Sequence, residues 1–136
     1  MINYLSPELE DKLREIPAQT LAYVGDAVFE LMVSTYLCTD GVRSAEKLHK
    51  RTVDFVSAKA QATAIEKLLP VLNEDEKELY KRGRNSHTGQ VPKSSTYEQY
   101  HCATGMETLF GYLYLSGNTK RLNELFEILI NERISF

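Results

Sequence analysis

Two acidic residues stand inside otherwise apolar, helix-like stretches of the chain. Asp26 lies in LAYVGDAVFELMVSTYL (residues 21–37), and Glu107 lies in YHCATGMETLFGYLYLSG (residues 100–117). Glycine costs about 1 kcal/mol in a helix interior relative to alanine, yet Gly25 precedes the first acid and Gly105 and Gly111 flank the second. Small residues let helices pack closely. The pattern predicts two core helices that bring Asp26 and Glu107 face to face, each acid buried against a partner.

Such a pair of carboxylates is compatible with two kinds of site. Like charges held close together cannot both stay ionised without a counter-ion. A divalent cation that prefers oxygen ligands would remove the repulsion. Alternatively, hydroxyl groups such as those of Thr104 or Thr108 hydrogen-bond the carboxylates, whose role is then structural. The residues alone leave both interpretations open.

The elements that must position these acids are predicted to be helices. Apolar residues recur with helical spacing almost throughout, and no segment alternates long enough to indicate a strand. A proline near the start and an Asn-x-x-Glu capping box mark helix starts. The sequence predicts an all-α domain of six to eight helices, with one long polar loop over 84–96. The expected helical ranges are about 7–16, 20–38, 44–69 with a break near Thr52, 73–83, 96–115 and 118–134.

Composition and charge narrow the class of protein. The 136 residues are 43% hydrophobic, which suits one domain with one core. We expect no apolar run long enough to span a bilayer and no signal peptide, and hence a cytoplasmic protein with no membrane partner. The net charge is only −3, but bases cluster over 43–59 and 81–93. These segments can present a positive face to a polyanion, or they can be ordinary solvated surface.

The two acidic stretches resemble the motifs of the ribonuclease III family. LAYVGDAVFEL is similar to the pattern E-R-L-E-F-L-G-D-A-V-L, and CATGMETLFGYLYL is similar to A-D-x-F-E-A-L-I-G-A-I-Y-L, in the same order. Ala22 and Thr104 stand where the family has two further acids. The length, without a following double-stranded-RNA-binding domain, resembles the Mini-III subfamily. We therefore expect residues 1–136 to form one ribonuclease III-like catalytic domain.

The resemblance implies an endoribonuclease that hydrolyses double-stranded RNA with Mg2+ and leaves 5′-phosphate products. It implies a role in maturing precursor large-subunit ribosomal RNA. Asp26 and Glu107 would be the catalytic metal ligands, with Glu30 and Thr104 as supporting neighbours. Tyr23 occupies the position of a family phenylalanine that enters the partner subunit, so it is expected at the interface of a homodimer. The alternatives are a dimer that holds structured RNA but cuts slowly or not at all, and a helical interaction protein that binds no nucleic acid.

Without an RNA-binding domain, the catalytic domain itself must hold the duplex, mainly through phosphate and shape contacts. Residues of the two basic segments are the candidates. They are Lys50, Arg51, Lys59 and Gln61 in the region 44–69, and Arg82, Arg84, His87 and Lys93 around the long loop.

Overall fold

The structure is a computed structural model that describes residues 1–86 and 96–134, with side chains described as far as residue 131. Within these ranges the chain forms six α-helices, two short 3-10 helices and no strand, which confirms the all-α prediction. The 3-10 helices are Asp11–Glu15 and Leu69–Val71. The α-helices are α1 (Ala18–Thr39), α2 (Ala45–Val56), α3 (Ala58–Leu68), α4 (Glu74–Asn85), α5 (Tyr97–Leu115) and α6 (Thr119–Ile134).

Side chains cap the starts of α2, α3, α4 and α5. The hydroxyl of Ser44 accepts a hydrogen bond from the Lys47 N–H at 3.1 Å, and Asn73 and Glu76 form the expected reciprocal capping box. Such caps satisfy N–H groups that have no partner within the helix. The break expected near Thr52 lies instead at Ser57, whose extended backbone ends α2 and caps α3.

The prediction of a helix over 7–16 is wrong. Only Asp11–Glu15 is helical in that range, and it forms a 3-10 helix. The Leu9 N–H donates to the carbonyl of Leu115 at the end of α5, at 2.8 Å. A backbone group that bonds to another helix is not available for an internal helical ladder. The N-terminal segment is therefore held against α5, and α1 begins only after Pro17.

Helices α1 and α5 cross in close backbone contact. A Cβ atom on Gly25 would lie 1.7 Å from the Glu107 carbonyl oxygen, and one on Gly111 would lie 1.9 Å from that of Leu21. No larger residue fits at either position while the helices stay where they are. The close approach inferred from the glycines is confirmed, and main chain touches main chain at the level of Asp26 and Glu107.

Helix α1 also corrects an expectation about length. Its 22 residues are long and apolar enough, by length and composition, to cross a membrane. In the fold, Leu21, Phe29 and Leu37 of this helix are buried in the core. Phe29 meets Phe110 of α5 edge to face, with ring centroids 5.5 Å apart, and Phe126 of α6 at 6.1 Å. Neighbouring helices cover one side of α1, and 39% of its apolar stretch is buried.

A buried ion pair ties α6 to the start of α4. Arg121 donates from Nε to Glu76 Oε2 at 2.7 Å and from a terminal nitrogen to Oε1 at 2.9 Å. Burial alone would raise the pKa of Glu76. The hydrogen bonds from Arg121 and from the Asn73 backbone, with the Arg121 charge, outweigh burial and lower that pKa. The carboxylate thus stays ionised although only 4% of the residue is exposed.

Candidate active site

Asp26 of α1 and Glu107 of α5 meet beside the glycine crossing. The interaction with the Asp26 carboxylate is one of the causes that raise the pKa of Glu107, so the two carboxyl groups lie close together as predicted. The expected burial of Asp26 is wrong, because its side chain is exposed while that of Glu107 is partly buried. Each helical residue is turned about 100° from the one before it. Gly25 lies in the contact with α5, and the side chain of Asp26 therefore projects from α1 at the solvent-facing edge of that contact.

The protonation of the pair follows from this arrangement. Burial, then the hydrogen bond and negative charge of Asp26, raise the pKa of Glu107 to about 8, while a hydrogen bond from Gln61 opposes the rise. With its pKa raised to about 8, Glu107 is mainly protonated at neutral pH in the absence of a cation. A cation between the two groups would replace that proton.

The two threonines of α5 are not the partners of the carboxylates. The Thr104 hydroxyl donates to the carbonyl oxygen of Tyr100 at 3.0 Å. That of Thr108 donates to the carbonyl oxygens of Thr104, at 2.8 Å, and Ala18, at 3.2 Å. Each hydroxyl carries one hydrogen, so neither is available to Glu107. Thr104 supports the backbone of its own helix, and the hydroxyl alternative left open by the sequence loses its donors.

The donor set suits a solvated, oxygen-preferring cation. Two carboxylates are present, one of them open to solvent, and carboxylate oxygens are the ligands that Mg2+ prefers. Glu30 lies exposed one turn beyond Asp26. The part of the chain that the structure describes contains no cluster of three or more His, Cys, Asp or Glu residues placed to hold a metal. Water and substrate oxygens would have to complete the coordination, and Mg2+ usually keeps several waters.

Gln61 occupies a different place from the one predicted. It was expected to contact RNA, but its side chain is only 1% exposed and does not face solvent. Its amide nitrogen donates to the Val56 carbonyl at 3.0 Å and to Glu107 Oε2 at 3.4 Å. The signal that could have found this is spacing. Gln61, Ile65 and Leu68 recur at helical intervals in α3, and all three are buried.

The candidate RNA-binding bases divide between two concave surfaces. Lys59 and Arg84 line a cleft of about 610 Å³ between α3, α4 and the start of α5. Lys77 and Lys81 line the same cleft. The sequence analysis did not select them, although residues 77, 81 and 84 share one face of α4 by spacing. Arg82 is exposed on α4 but does not line this cleft.

The second surface lies at the junction of α1 and α2. Lys50 and Arg51 line a concavity of about 520 Å³ there, together with Arg43 and Lys47. Lys59 of the first basic segment therefore shares a cleft with Arg84 of the second, whereas Lys50 and Arg51 line a separate surface. The remaining two candidates, His87 and Lys93, lie outside the described residues.

Tyr23 is 82% exposed on α1. Leu31, two turns further along, is 60% exposed, and Ala27 lies between them on the same side of the helix. These residues recur at intervals of four, so they form one apolar face directed away from the core.

Comparison with known proteins identifies the family of the chain. Residues 19–118 match the ribonuclease III domain family. The Mini-ribonuclease 3 of Clostridium tetani is 40% identical over 120 residues, which cover 88% of this chain and 80% of that protein. The Mini-ribonuclease 3 of Desulfitobacterium hafniense is 42% identical over 114 residues, covering 84% and 72%. A crystal structure of a Fusobacterium nucleatum protein superposes with a TM-score of 0.82 at 28% identity, covering 91% of this chain and 99% of that one. The chain therefore belongs to the ribonuclease III family of endoribonucleases, in its Mini-ribonuclease 3 branch.

Proposed function

We propose that this protein hydrolyses phosphodiester bonds of double-stranded RNA with Mg2+ held by Asp26 and Glu107. The contact between the two carboxyl groups at a solvent-open edge carries the proposal. A buried acid with a pKa of about 8 beside a second acid is costly to ionise. That arrangement is typical of functional sites.

The chain contributes binding and orientation to the reaction. Bound Mg2+ would neutralise a phosphoryl oxygen and make a coordinated water more acidic. Glu107 must release its proton to bind the cation, and its position in the α1–α5 contact holds its carboxylate beside that of Asp26. The exposure of Asp26 leaves room for the scissile phosphate. No protein nucleophile takes part in this scheme, and the products carry 5′ phosphates.

Phosphate contacts from the basic concave surfaces would supply affinity for the duplex. Lys59 and Arg84 belong to the larger cleft, and Lys50 and Arg51 to the smaller. Neutralising phosphates releases counterions, so binding should weaken steeply with salt. Such contacts position a duplex without reading its sequence.

Cutting both strands requires two sites, and we propose a two-fold homodimer that joins them through the apolar face around Tyr23. Large exposed apolar side chains on one helix face are typical of an interaction surface. In a two-fold dimer each such residue is buried once in each subunit, so its contribution counts twice.

The resemblance to Mini-III proteins supports precursor large-subunit ribosomal RNA as the natural substrate and the bacterial cytoplasm as the location.

A second function is favoured by one observation. The described residues supply only two carboxylates to the site, which would leave the cation weakly held. A dimer that binds structured RNA and cuts it slowly or not at all is therefore the competing proposal.

Cleavage of a long RNA duplex with Mg2+ tests these proposals. The wild type is compared with Asp26→Asn and Glu107→Gln, and with Asp75→Asn, which removes one exposed charge in the first turn of α4. We expect the first two variants to lose cleavage at least about 100-fold while they still retard the duplex in a gel. Asp75→Asn should cut like the wild type. Retardation without cleavage by the wild type would favour the second function, and cleavage by Asp26→Asn would refute the assignment of the site.

A further inference from the structure

We propose that Gln61 is a positioning residue that holds the carboxyl group of Glu107 in the orientation that faces Asp26. This inference rests on the proposed function in one respect, because it takes the carboxyl pair to be the cation site. It assigns to Gln61 a role inside the site rather than on the RNA-binding surface.

The hydrogen bonds of Gln61 show which end of its amide is used. A primary amide nitrogen carries two hydrogens. One is donated to the Val56 carbonyl at 3.0 Å, and the other to Glu107 Oε2 at 3.4 Å. The amide oxygen Oε1 is buried and has no hydrogen-bond partner among the described residues. All the bonding of this side chain therefore passes through its donors.

An apolar side chain would suit the core better than this amide does. A buried acceptor without a partner costs about 1–3 kcal/mol. Methionine has a similar length and shape, and it would fill the same space without that penalty. A polar residue at this position is thus unexplained by apolar packing, and its hydrogen bonds to the Val56 carbonyl and to Glu107 provide the reasons for it.

Glu107 needs to be held because its terminal torsion is soft. The last torsion of a glutamate side chain has a broad profile, so packing alone does not fix the plane of the carboxyl group. Asp26 contacts that group from α1 and Gln61 from α3, while Glu107 itself belongs to α5. A carboxyl group bonded from two other helices has one preferred orientation. Partners of this kind, one contact away from a ligand, commonly tune metal affinity.

The bond to Val56 gives Gln61 a structural role as well, and a control must separate the two. This bond spans the junction between α2 and α3, where Ser57 also caps α3 by accepting from the Ala60 N–H at 3.2 Å. Ser57→Ala should loosen the same junction by about 1 kcal/mol. It does so without removing any bond to Glu107, which makes it the matched control for Gln61→Met.

The experiment measures Mn2+ affinity by electron paramagnetic resonance, since Mn2+ shares the oxygen preference of Mg2+. Melting without metal and steady-state cleavage of duplex RNA with Mg2+ are recorded for the same proteins. We expect Gln61→Met to bind Mn2+ about 10- to 100-fold more weakly and to lower kcat, with KM for RNA within about twofold of the wild type. Ser57→Ala should melt lower but bind Mn2+ like the wild type.

A second measurement uses the wild type alone, so it holds even if Gln61→Met does not fold. The side-chain amide resonances of 15N-labelled glutamines are followed while Mg2+ is added. The Gln61 signals should move more than those of Gln19, which donates to the Ser86 carbonyl, and of Gln99, which caps α5.

Two results would overturn the inference. One is wild-type Mn2+ affinity in Gln61→Met, with or without a raised KM, since a raised KM alone would make Gln61 an RNA contact. The other is a Gln61 resonance that is indifferent to saturating Mg2+. If the wild type does not cut duplex RNA but Gln61→Met still weakens Mn2+ binding, the proposed function fails and the role of Gln61 stands.

Discussion

Replacing Asp26 with asparagine should separate the functional value of this side chain from its effect on stability. The substitution keeps the shape and removes the charge next to Glu107. In the metal-free protein, burial is the first cause that raises the pKa of Glu107 to about 8, and the hydrogen bond and charge of Asp26 are the next two. Asparagine removes the charge but leaves the burial unchanged.

The sign of the effect follows from proton binding. Between the ordinary pKa of 4.5 and about 8, folded Glu107 keeps a proton that the unfolded chain has lost. The folded state then binds more protons, so the free energy of unfolding falls as pH rises through that window. At about 1.4 kcal/mol per pKa unit, the difference between 4.5 and 8 is at most on the order of 5 kcal/mol.

Asp26 accounts for part of this loss, and we expect Asp26→Asn to recover on the order of 1–2 kcal/mol at pH 9. At pH 6, where folded Glu107 is protonated, the recovery should nearly vanish. For a chain of this length, 1 kcal/mol corresponds to about 3 °C in Tm. The variant should therefore melt about 3–6 °C above the wild type at pH 9 and close to it at pH 6.

The assay is thermal unfolding with a chelator at both pH values, with Asp75→Asn as the charge-matched control. Added Mg2+ should raise the Tm of the wild type more than that of Asp26→Asn, because a ligand of the native state stabilises by mass action. If Asp26→Asn melts well below the wild type at pH 9, Asp26 is a structural hydrogen-bonding residue and the reasoning about the pair is wrong.

Three further predictions follow from other contacts. Gly25→Ala should lower the free energy of unfolding by about 3 kcal/mol, measured in urea, because the new Cβ meets the Glu107 carbonyl at 1.7 Å; a cost under about 1 kcal/mol would mean that the helices separate easily. Glu76→Gln should cost about 3 kcal/mol at pH 7, since it breaks a buried ion pair, whereas Glu74→Gln, with a side chain 91% exposed, should cost under about 0.5 kcal/mol. Because the pKa of Glu76 is lowered, the stability it provides is lost as pH falls below 4.5, so the gap to Glu76→Gln should close in acid; a constant gap would contradict the ion-pair account. Tyr23→Ala should weaken self-association by about 2–3 kcal/mol in sedimentation equilibrium, and a wild type that sediments as a monomer at micromolar concentration would defeat the dimer proposal.

Local signals carried much of the fold prediction. Ser44 and Asn73 specify helix starts through hydrogen bonds to residues three positions away. The local sequence is therefore enough to predict these starts. The meeting of Asp26 and Glu107 was also predictable, because glycines beside both acids marked where two helices touch. The exposure of Asp26 was not, since α1 is apolar around much of its circumference and periodicity alone does not say which side faces solvent.

Contacts between distant residues explain the remaining errors. Arg121 and Glu76 are 45 positions apart, and Gln61 and Glu107 are 46 apart. A glutamine among alanines in α3 looks like an ordinary surface residue until its helix is docked on α5. The irregular start of the chain depends in the same way on a bond from Leu9 to the end of α5.

The backbone contact between α1 and α5 should make the candidate site tolerant of substitutions elsewhere in the core. At Gly25 and Gly111 the helices rest on each other's carbonyl groups, so their separation does not depend on the volume of any core side chain. Exchanges among leucine, isoleucine and methionine elsewhere in the core can then accumulate without parting the carboxyl groups. The same contact joins assembly of the site to folding itself, because neither acid has its partner until the two helices meet.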